Sequence, residues 1–387
     1  MLKLEKRLST LYSCEGKRTH LPLRVSVRMK KEGSQKSKIG LREIAALAQV
    51  SVATVSRVLN GNSRVDPAIR KTVLDTAGKL NVDLSQRNKT KALAFLLSNR
   101  AVLHSFHSRV LSGAEAHCAA HGWDMVFLSF NYSPTAARDE LHLPRAIQRR
   151  DVIGGLILAG TNSTNLLDLL DHKGIPYVAL GNNIFGELEG LKQDLIFSDD
   201  TQGGFDITRY LISLGHRDIW FVGNVRLPWF ARLFSGYRRA MAGVGLVARH
   251  TSIDSEEEAE AGYLGAKSLL SRGEPVTAIF AGNDPTAHGV YKGLRDSGLR
   301  IPDDISVVGC DDTVGAWLYP GLSTIRVFPE QLGKQMVELI LNRIAKPGLD
   351  PQRITIPTEL MKRDSCRQIL NGRDIAVDKV LLEVEST

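Results

Sequence analysis

Residues 41–60, LREIAALAQVSVATVSRVLN, decide the fold of the N-terminal part of this chain. Apolar residues recur there at intervals of three and four in two short runs, which predicts two amphipathic helices. Gln49 and Val50 form the turn between the helices, and Ser51 is placed to cap the second helix. The predicted buried positions are Leu41, Ile44, Ala45 and Ala48 in the first helix and Val55, Val58 and Leu59 in the second.

The other face of the second helix carries residue types that can read DNA. It begins with the small residues Val52 and Ala53 and continues with Arg57 about one turn later. Such a helix can enter the major groove, where arginine bonds guanine and small apolar groups contact thymine methyls. A solvated helix face with a single cap has the same pattern, so the residues alone leave both interpretations open.

The positive charge of the chain is concentrated around these two helices. Residues 1–38 hold 11 Lys and Arg against 3 Asp and Glu, residues 39–91 hold 9 against 4, and the remainder holds 30 against 35. A basic head on a mildly acidic body favours a nucleic acid as partner. Residues 1–38 by themselves equally fit a disordered basic extension with no partner, and Met29 is an alternative start of the native product.

A third helix and a basic linker follow. Asp66 and Pro67 form an N-cap with proline at the first helical position. The segment from Asp83 to Lys91 is polar and basic, which is typical of a linker. The apolar stripe predicted for the third helix is Ile69, Val73, Ala77 and Leu80.

From Ala92 onward, short apolar strands alternate with amphipathic helices, which predicts an α/β domain of parallel sheets covered on both faces. The segment is long for one sheet, so we expect two lobes. The break between them is predicted near Phe197–Thr201, with a ligand cleft at the carboxyl ends of the strands. The predicted organisation is an extension over 1–38, a helix-turn-helix domain over 39–82, a linker over 83–91, a two-lobed domain over 92–365 and a tail over 366–387.

Several classes of protein and site are not indicated. The four cysteines are scattered and form no metal-binding pattern, which favours free thiols in a reducing cytoplasm. No apolar run is long enough to span a bilayer, and the basic N-terminus lacks the apolar core of a signal peptide. No nucleotide-binding, hydrolase or metalloprotease motif is found. We therefore expect no catalytic residues, no metal, no cofactor and no membrane partner.

The residues quoted above, with others along the body, resemble the LacI/GalR family of bacterial transcription regulators. LREIAALAQVSVATVSRVLNG is similar to the family's helix-turn-helix, and SLGHRDIWFVGN, GYRRAMAGVGL and AIFAGNDPTAHGVYKGLRDSGLRIPDDISVVGCDD follow in the family's order. The resemblance runs from Ile39 to about Lys362. It implies a DNA-binding head and a two-lobed effector domain similar to periplasmic sugar-binding proteins.

The resemblance also implies how the protein acts. Family members work as homodimers on pseudo-palindromic double-stranded operators, and a small molecule alters their affinity for DNA. We therefore expect a cytoplasmic, nucleoid-associated repressor with a sugar as effector. The absence of a strong cationic clamp in the sequence favours a neutral sugar.

The resemblance assigns DNA contacts residue by residue. Val52, Ala53 and Arg57 are implied to face base edges. The residues implied to hold phosphates and set the register are Ser51, Thr54, Ser56, Asn60 and Arg64, and the linker residues Lys89 and Lys91 could also contact phosphates.

Candidate effector contacts follow the predicted strands. Asn283 follows AIFAG and Asp311 follows ISVVGC, so both lie where amides and carboxylates can bond sugar hydroxyls. Asn99 and Phe106 follow the first strand of the body. Arg232 lies four residues before the glycine of GYR, whereas the family has an arginine three residues before it. A helix cap would equally explain Asn283, and a loop cap is the alternative for Asp311, where ligand contact is the favoured interpretation.

The linker departs from the family's pattern. Relatives usually carry a short helix of the pattern PxxxARxL, which orders on the operator and inserts a leucine into the minor groove. Here VDLSQRNKTKALAFLL runs almost directly from the third helix into the first strand; about six residues of the family's linker are missing, with no proline and no leucine at the wedge position. We therefore expect coupling between effector and DNA without a minor-groove wedge, and a less bent operator.

Three alternatives remain at the level of the sequence. A sugar-binding transport protein would share the body, but it would need a signal peptide and no DNA head. An enzyme would need a catalytic motif. A DNA-binding protein of low specificity would share the basic head, and a footprint on a discrete palindrome at physiological salt would exclude it, because binding through phosphates alone weakens steeply with salt.

Overall fold

A computed structural model describes residues 41–59, 65–80, 92–100, 104–149, 152–188, 190, 193–255 and 257–369. The chain divides into two compact units, with the division between residues 87 and 88. None of the described helices is long and apolar enough to cross a membrane.

The first unit contains three helices packed around a small apolar core. Its elements are α1 (Leu41–Leu47), α2 (Val52–Leu59) and α3 (Pro67–Lys79). The buried core is formed by Ile44, Ala45, Ala48, Val55, Val58, Val73 and Ala77. Ile69 was expected in the stripe of α3 but is 37% exposed, because α3 buries only a narrow face around Val73 and Ala77.

The turn between α1 and α2 has the geometry that the sequence predicts. Gln49 has a left-handed φ of 52°, and the backbone N–H of Val50 donates to Ala45 O (3.0 Å), as at many helix C-termini. Ser51 Oγ then accepts from the backbone N–H of Thr54 (3.0 Å), which confirms the predicted N-cap of α2.

The start of α3 is also confirmed. The carboxylate of Asp66 accepts from the backbone N–H groups of Ala68 (2.8 Å) and Ile69 (3.3 Å), and Pro67 occupies the first turn.

The second unit alternates strands and helices along most of its length. In chain order its elements are β1 (Ala92–Ser98), α4 (Ser105–Ala120), β2 (Asp124–Phe130), β3 (Ile153–Gly160), β4 (Asn162–Ser163), α5 (Thr164–His172), β5 (Tyr177–Leu180), β6 (Ile184–Phe185), β7 (Asp194–Ser198), α6 (Asp200–Ser213), β8 (Ile219–Val222), α7 (Pro228–Ala242), β9 (Arg249–Thr251), α8 (Glu258–Ser271), β10 (Ala278–Ala281), α9 (Asp284–Arg295), β11 (Ser306–Asp311), β12 (Ser323–Arg326), α10 (Pro329–Ala345), β13 (Arg353–Ile356) and β14 (Glu359–Met361).

These elements form two lobes, each around a six-stranded sheet. The sheet of lobe 1 has the order β13-β7-β5-β3-β1-β2, and its strands are parallel. The sheet of lobe 2 has the order β14-β12-β11-β10-β8-β9, in which only the pairing of β14 with β12 is antiparallel. Each sheet has an apolar core on both faces, which explains why β1, ALAFLLS, is buried along its whole length.

The chain passes between the lobes three times. It leaves β7 of lobe 1 for α6 of lobe 2, returns from β12 into α10 of lobe 1, and leaves β13 for β14 of lobe 2. The first passage lies between Ser198 and Asp200, where the sequence predicts the break. The two later passages bring the C-terminal elements back to both lobes.

The end of the described chain packs on lobe 2. The backbone N–H of Arg367 donates to Ser306 Oγ (3.1 Å), and that of Ile369 donates to Leu214 O (2.7 Å). Residues 366–369, which the sequence assigns to a tail, are therefore part of lobe 2.

Candidate functional site

The candidate DNA-reading residues lie on one exposed side of α2. Val52 is 42% exposed, and Ala53 and Arg57 are exposed one helical turn apart. Ser51 and Thr54 bond each other through their hydroxyl oxygens (2.8 Å), and Ser56 is half-buried on the same helix. The other four residues expected at DNA, Asn60, Arg64, Lys89 and Lys91, lie outside the described residues.

The second unit has a cleft where the carboxyl ends of the two sheets meet. Lobe 1 lines it with Arg100, His104, Phe106, His107, Asn182, Asn183 and Ser198, and lobe 2 lines it with Asp200, Trp229, Asn283, Asp311 and Val327. Because these residues follow strands or begin the next helices, the α/β topology itself gathers them.

Asp311 ends β11 in a strained backbone conformation, with a φ of 99°. The loop behind it is fixed by Asp284, whose carboxylate accepts from the backbone N–H groups of Thr313 (2.9 Å), Val314 (3.2 Å) and Gly315 (2.9 Å). Strain of this kind persists where neighbouring structure enforces it, often at binding sites. The loop therefore holds the Asp311 side chain at the cleft.

The Asp311 carboxyl group is in surroundings that disfavour its charge. Burial, together with the carboxylates of Asp284, Glu258 and Asp200, raises the pKa of Asp311 well above its usual range. Within the described residues no hydrogen bond to its carboxyl oxygens is found. A ligand hydroxyl would supply the donor that the protein does not.

Asp200 forms a second acidic group at the start of α6. Its Oδ2 accepts from Asn182 Nδ2 (2.5 Å), and the same amide nitrogen also donates to Ser198 O (2.9 Å). Burial raises the pKa of Asp200 to about 6, against the lowering effect of these hydrogen-bond donors. The first crossing between the lobes is thus tied to the cleft through Asn182 and Asp200.

A basic group faces these carboxylates from lobe 1. Arg100 Nη2 donates to Glu258 Oε1 (2.9 Å), and the guanidinium lies 4.4 Å from the ring centre of Trp229. Glu258 Oε2 is 3.2 Å from His104 Nε2 and accepts from Asn283 Nδ2 (2.8 Å). Although burial acts in the opposite sense, the His104 hydrogen bond and the Arg100 charge lower the pKa of Glu258 to about 2. Glu258 is therefore ionised and joins the two lobes.

Aromatic rings form the remaining walls. Phe106 packs against apolar cores of both lobes, and His107 meets its edge with the ring centres 5.2 Å apart. Burial lowers the pKa of His107 well below its usual range, so its ring is neutral. Trp229 Nε1 and Arg100 Nε are buried donors that have no hydrogen-bond partner among the residues that the structure describes. A ligand with acceptor oxygens would satisfy both, because buried polar groups are nearly always hydrogen-bonded.

Comparison with known proteins places this architecture in a family. Residues 40–81 match the profile of bacterial regulatory proteins of the lacI family, and residues 208–366 match that of a periplasmic binding protein-like domain. The ribose operon repressor of Haemophilus influenzae is 30% identical, over 84% of this chain and 98% of its own length. The chain belongs to the LacI family.

Other relatives in the LacI family also match this chain over nearly their whole length. The HTH-type transcriptional repressor PurR of Vibrio campbellii is 28% identical, over 85% of this chain and 99% of its own length. The solved structure of the transcriptional regulator CelR–cellobiose complex is 26% identical, covers 84% of this chain and 99% of that chain, and has a TM-score of 0.62. The predicted family and fold class are confirmed, and this LacI-family chain is a DNA-binding transcriptional regulator with a small-molecule-binding domain.

The structure brings together some of the effector contacts predicted for this LacI-family chain. Asp311, Asn283 and Phe106 line the cleft, whereas Asn99 and Arg232 do not. Asn99 Oδ1 accepts from the backbone N–H of Tyr132 (2.9 Å), so it supports the strand ends. The Arg232 guanidinium lies 5.1 Å from the ring centre of Phe197, because the position three residues before the glycine of GYR is taken by the buried Leu233.

Asn283 has a capping role as well as a place at the cleft. Its Oδ1 accepts from the backbone N–H (3.0 Å) and the Oγ1 (2.6 Å) of Thr286 at the start of α9. Its Nδ2 donates to Glu258, so both ends of the amide already have partners within the protein.

Sequence reasoning missed several cleft residues. Arg100 follows the first predicted strand, and Asp200 stands at the predicted break between lobes, so position alone could have indicated both. Glu258, which contacts three of the cleft residues, lies in the acidic run EEEAE, and nothing in that run distinguishes the carboxylate that bonds Arg100 of lobe 1.

Proposed function

We propose that this chain is a repressor whose affinity for a specific operator is set by an uncharged sugar bound in the cleft. The observation that carries the proposal is the pairing of one acceptor, the Asp311 carboxyl group, with two buried donors, Trp229 Nε1 and Arg100 Nε, that have no partner among the described residues, all at one cleft. Hydroxyl groups both donate and accept, so a sugar suits this mixture, and the rings of Trp229 and Phe106 suit its apolar faces.

The relatives support the same proposal. One is named a ribose operon repressor, and a neighbouring structure is a complex with cellobiose. In this proposal Val52, Ala53 and Arg57 read bases, and Asp311, with Asn283 and Phe106 beside it, contacts the effector. The chain acts in the cytoplasm as a homodimer on a pseudo-palindromic operator, since one recognition helix reads too few base pairs for specificity. It carries out no catalysis, as its relatives are named repressors.

Ligand-dependent thermal denaturation tests the effector half of the proposal. We expect a neutral sugar, from a panel that includes ribose and cellobiose, to stabilise the wild type. Asp311→Asn tolerates the left-handed backbone but replaces one carboxyl oxygen, an acceptor, with an NH2 group that can only donate, and it should weaken binding about 10- to 100-fold. Asp303→Asn, on the exposed surface of lobe 2, is the matched control and should bind as the wild type does.

The DNA half is tested on sites selected from randomised duplexes. We expect a discrete palindrome to be enriched and the stabilising sugar to change its affinity for the protein. A panel in which no compound stabilises the wild type, or equal binding by Asp311→Asn, would contradict the proposal.

A further inference from the structure

Arg100 carries the one guanidinium or ammonium group that lines the cleft within the described residues. A guanidinium in a ligand site ordinarily favours carboxylate or phosphate, which match its planar fork. Here the charge of the guanidinium already has a partner inside the protein, because Glu258 Oε1 accepts from Arg100 Nη2 at 2.9 Å.

The contacts around this pair hold it in one geometry. The Arg100 and Glu258 side chains are only 17% and 9% exposed. Glu258 Oε2 is also bonded by Asn283 Nδ2 from lobe 2 and contacts His104 Nε2 from lobe 1, while Trp229 covers the guanidinium. A fixed, mostly buried pair differs from a mobile surface ion pair, which solvent screens and a ligand could easily replace.

The other ionisable groups at the cleft further disfavour the binding of an anion. The carboxylates of Asp200, which lines the cleft, and of Glu258 oppose the charge of Arg100 at neutral pH. Arg100 gives Glu258 one hydrogen bond, through Nη2, and its Nε is a buried N–H without a partner among the described residues. The Nε–H suits a hydroxyl or ring oxygen, whereas an anion would meet a guanidinium whose charge Glu258 already balances.

We propose that Glu258 is the specificity-determining residue that restricts this cleft to uncharged ligands, by serving as the built-in counter-ion of Arg100. The inference rests on the proposed function, since it concerns the effector of the same cleft. Glu258 acts through Arg100, so loss of its charge should open the site to anions.

Inorganic phosphate is the probe, used with the full-length chain in thermal denaturation at constant ionic strength. Glu258→Gln keeps the shape of the side chain and an acceptor oxygen but removes the charge. We expect this variant to bind phosphate at least 10-fold more tightly than the wild type. The double variant Arg100→Met, Glu258→Gln should lose the gain, and Glu257→Gln, at the exposed neighbouring carboxylate, should behave as the wild type does.

Two results would overturn the inference: phosphate binding by the wild type as tight as by Glu258→Gln, or a gain that persists in the double variant.

If circular dichroism shows that Glu258→Gln does not fold, a second measurement on the wild type decides. It compares the binding of D-ribose with that of D-ribose 5-phosphate, and the binding of D-glucose with that of D-glucose 6-phosphate. Tighter binding of the neutral members supports the inference, and tighter binding of the phosphorylated members, or of neither, counts against it. If no sugar binds the wild type, the proposed function fails, while a phosphate gain in Glu258→Gln still supports the role of Glu258.

Discussion

Two carboxyl groups at the cleft, those of Asp200 and Asp311, lie in surroundings that disfavour their charged forms. Burial raises the pKa of Asp200 to about 6, and burial with neighbouring carboxylates raises the pKa of Asp311 well above its usual range. Such groups weaken the folded state at neutral pH, and binding sites commonly retain them for function. Removing such a carboxyl group should therefore stabilise the folded protein at neutral pH and weaken its binding of the ligand.

Asp200→Asn should reveal this effect through pH. The folded-state pKa of Asp200 is raised from 3.8, so its contribution to stability is full below about pH 4 and is lost as the pH rises through about 6. The asparagine side chain does not titrate, so the variant has no such pH-dependent contribution to lose. The free energy of unfolding of the variant minus that of the wild type should therefore rise by about 1–3 kcal/mol between pH 4 and pH 7.5. Urea denaturation at both pH values measures the change.

The matched control for this measurement is Asp303→Asn, at an exposed position of lobe 2. Its free energy of unfolding should differ from that of the wild type by nearly the same amount at both pH values. If the difference in free energy of unfolding between Asp200→Asn and the wild type were also the same at both pH values, the raised pKa would have no effect on stability.

Arg57→Ala tests base reading at the same scale. If Arg57 bonds a guanine, the variant should lose about 1–3 kcal/mol of binding free energy on the selected operator, and discrimination should relax at one base pair per half-site. Fluorescence anisotropy with single-base operator variants measures both. Lys79→Ala, in the last turn of α3, is the control. A uniform loss on all sequences would make Arg57 a phosphate contact instead.

Residue positions were predictable where local chemistry decides them, and not elsewhere. The caps by Ser51 and Asp66 follow from short-range hydrogen bonds, and Asp311 follows from its place at the end of an apolar strand. The partnership of Arg100 with Glu258 joins residues 158 positions apart, so neither periodicity nor spacing could indicate it.

Pairs of helices in the second unit approach so closely that only glycine fits between them. A Cβ on Gly289 of α9 would lie 1.8 Å from Ala259 O of α8, and one on Gly262 would lie 2.0 Å from Thr286 O. The same reciprocal arrangement joins α6 to α7 through Gly204 and Gly236, and α4 to α10 through Gly113 and Gly333. These contacts set the spacing of the layers that cover both sheets.

Gly289→Ala should therefore destabilise the second unit. The added methyl group has to displace backbone rather than a flexible side chain, so we expect a loss of about 2 kcal/mol or more in the free energy of unfolding. Gly243→Ala is the matched control, since a Cβ there meets its neighbours at 3.5 Å, which is ordinary contact. Urea denaturation followed by circular dichroism compares the two. Equal stability of both variants would contradict the close packing.

The sequence pattern predicts the long strands and helices of the fold, but it does not predict several of its shortest strands. Buried strands such as β1 and β10 stand out as apolar runs, and the helices before and after them stand out by period. The two-residue strands β4 and β6, and the partly exposed β13 and β14, carry too little apolar pattern to be seen. β4 and β6 pair only with each other, and β13 and β14 pair at the edges of the two large sheets, so contacts far along the chain decide whether these strands form.

At the scale of the whole molecule, the linker sequence bears on how the DNA is shaped. Because VDLSQRNKTK contains no proline and no PxxxARxL pattern that would place a wedge leucine, we expect the operator to be bent only weakly. Circular-permutation gel shifts on the selected operator measure the bend. A strong central kink would show that this linker inserts a side chain by other means.

The three passages between the lobes also govern the order in which the protein can fold during synthesis. Lobe 1 takes its helix α10 and its edge strand β13 from residues 329–356, long after β1 to β7 have left the ribosome. Until then the apolar faces of α4 and the first sheet, which α10 covers in the native protein, stay open to solvent. The nascent chain must therefore carry an unfinished first lobe while nearly all of the second is made, which makes it a natural client for chaperones that shield hydrophobic surface.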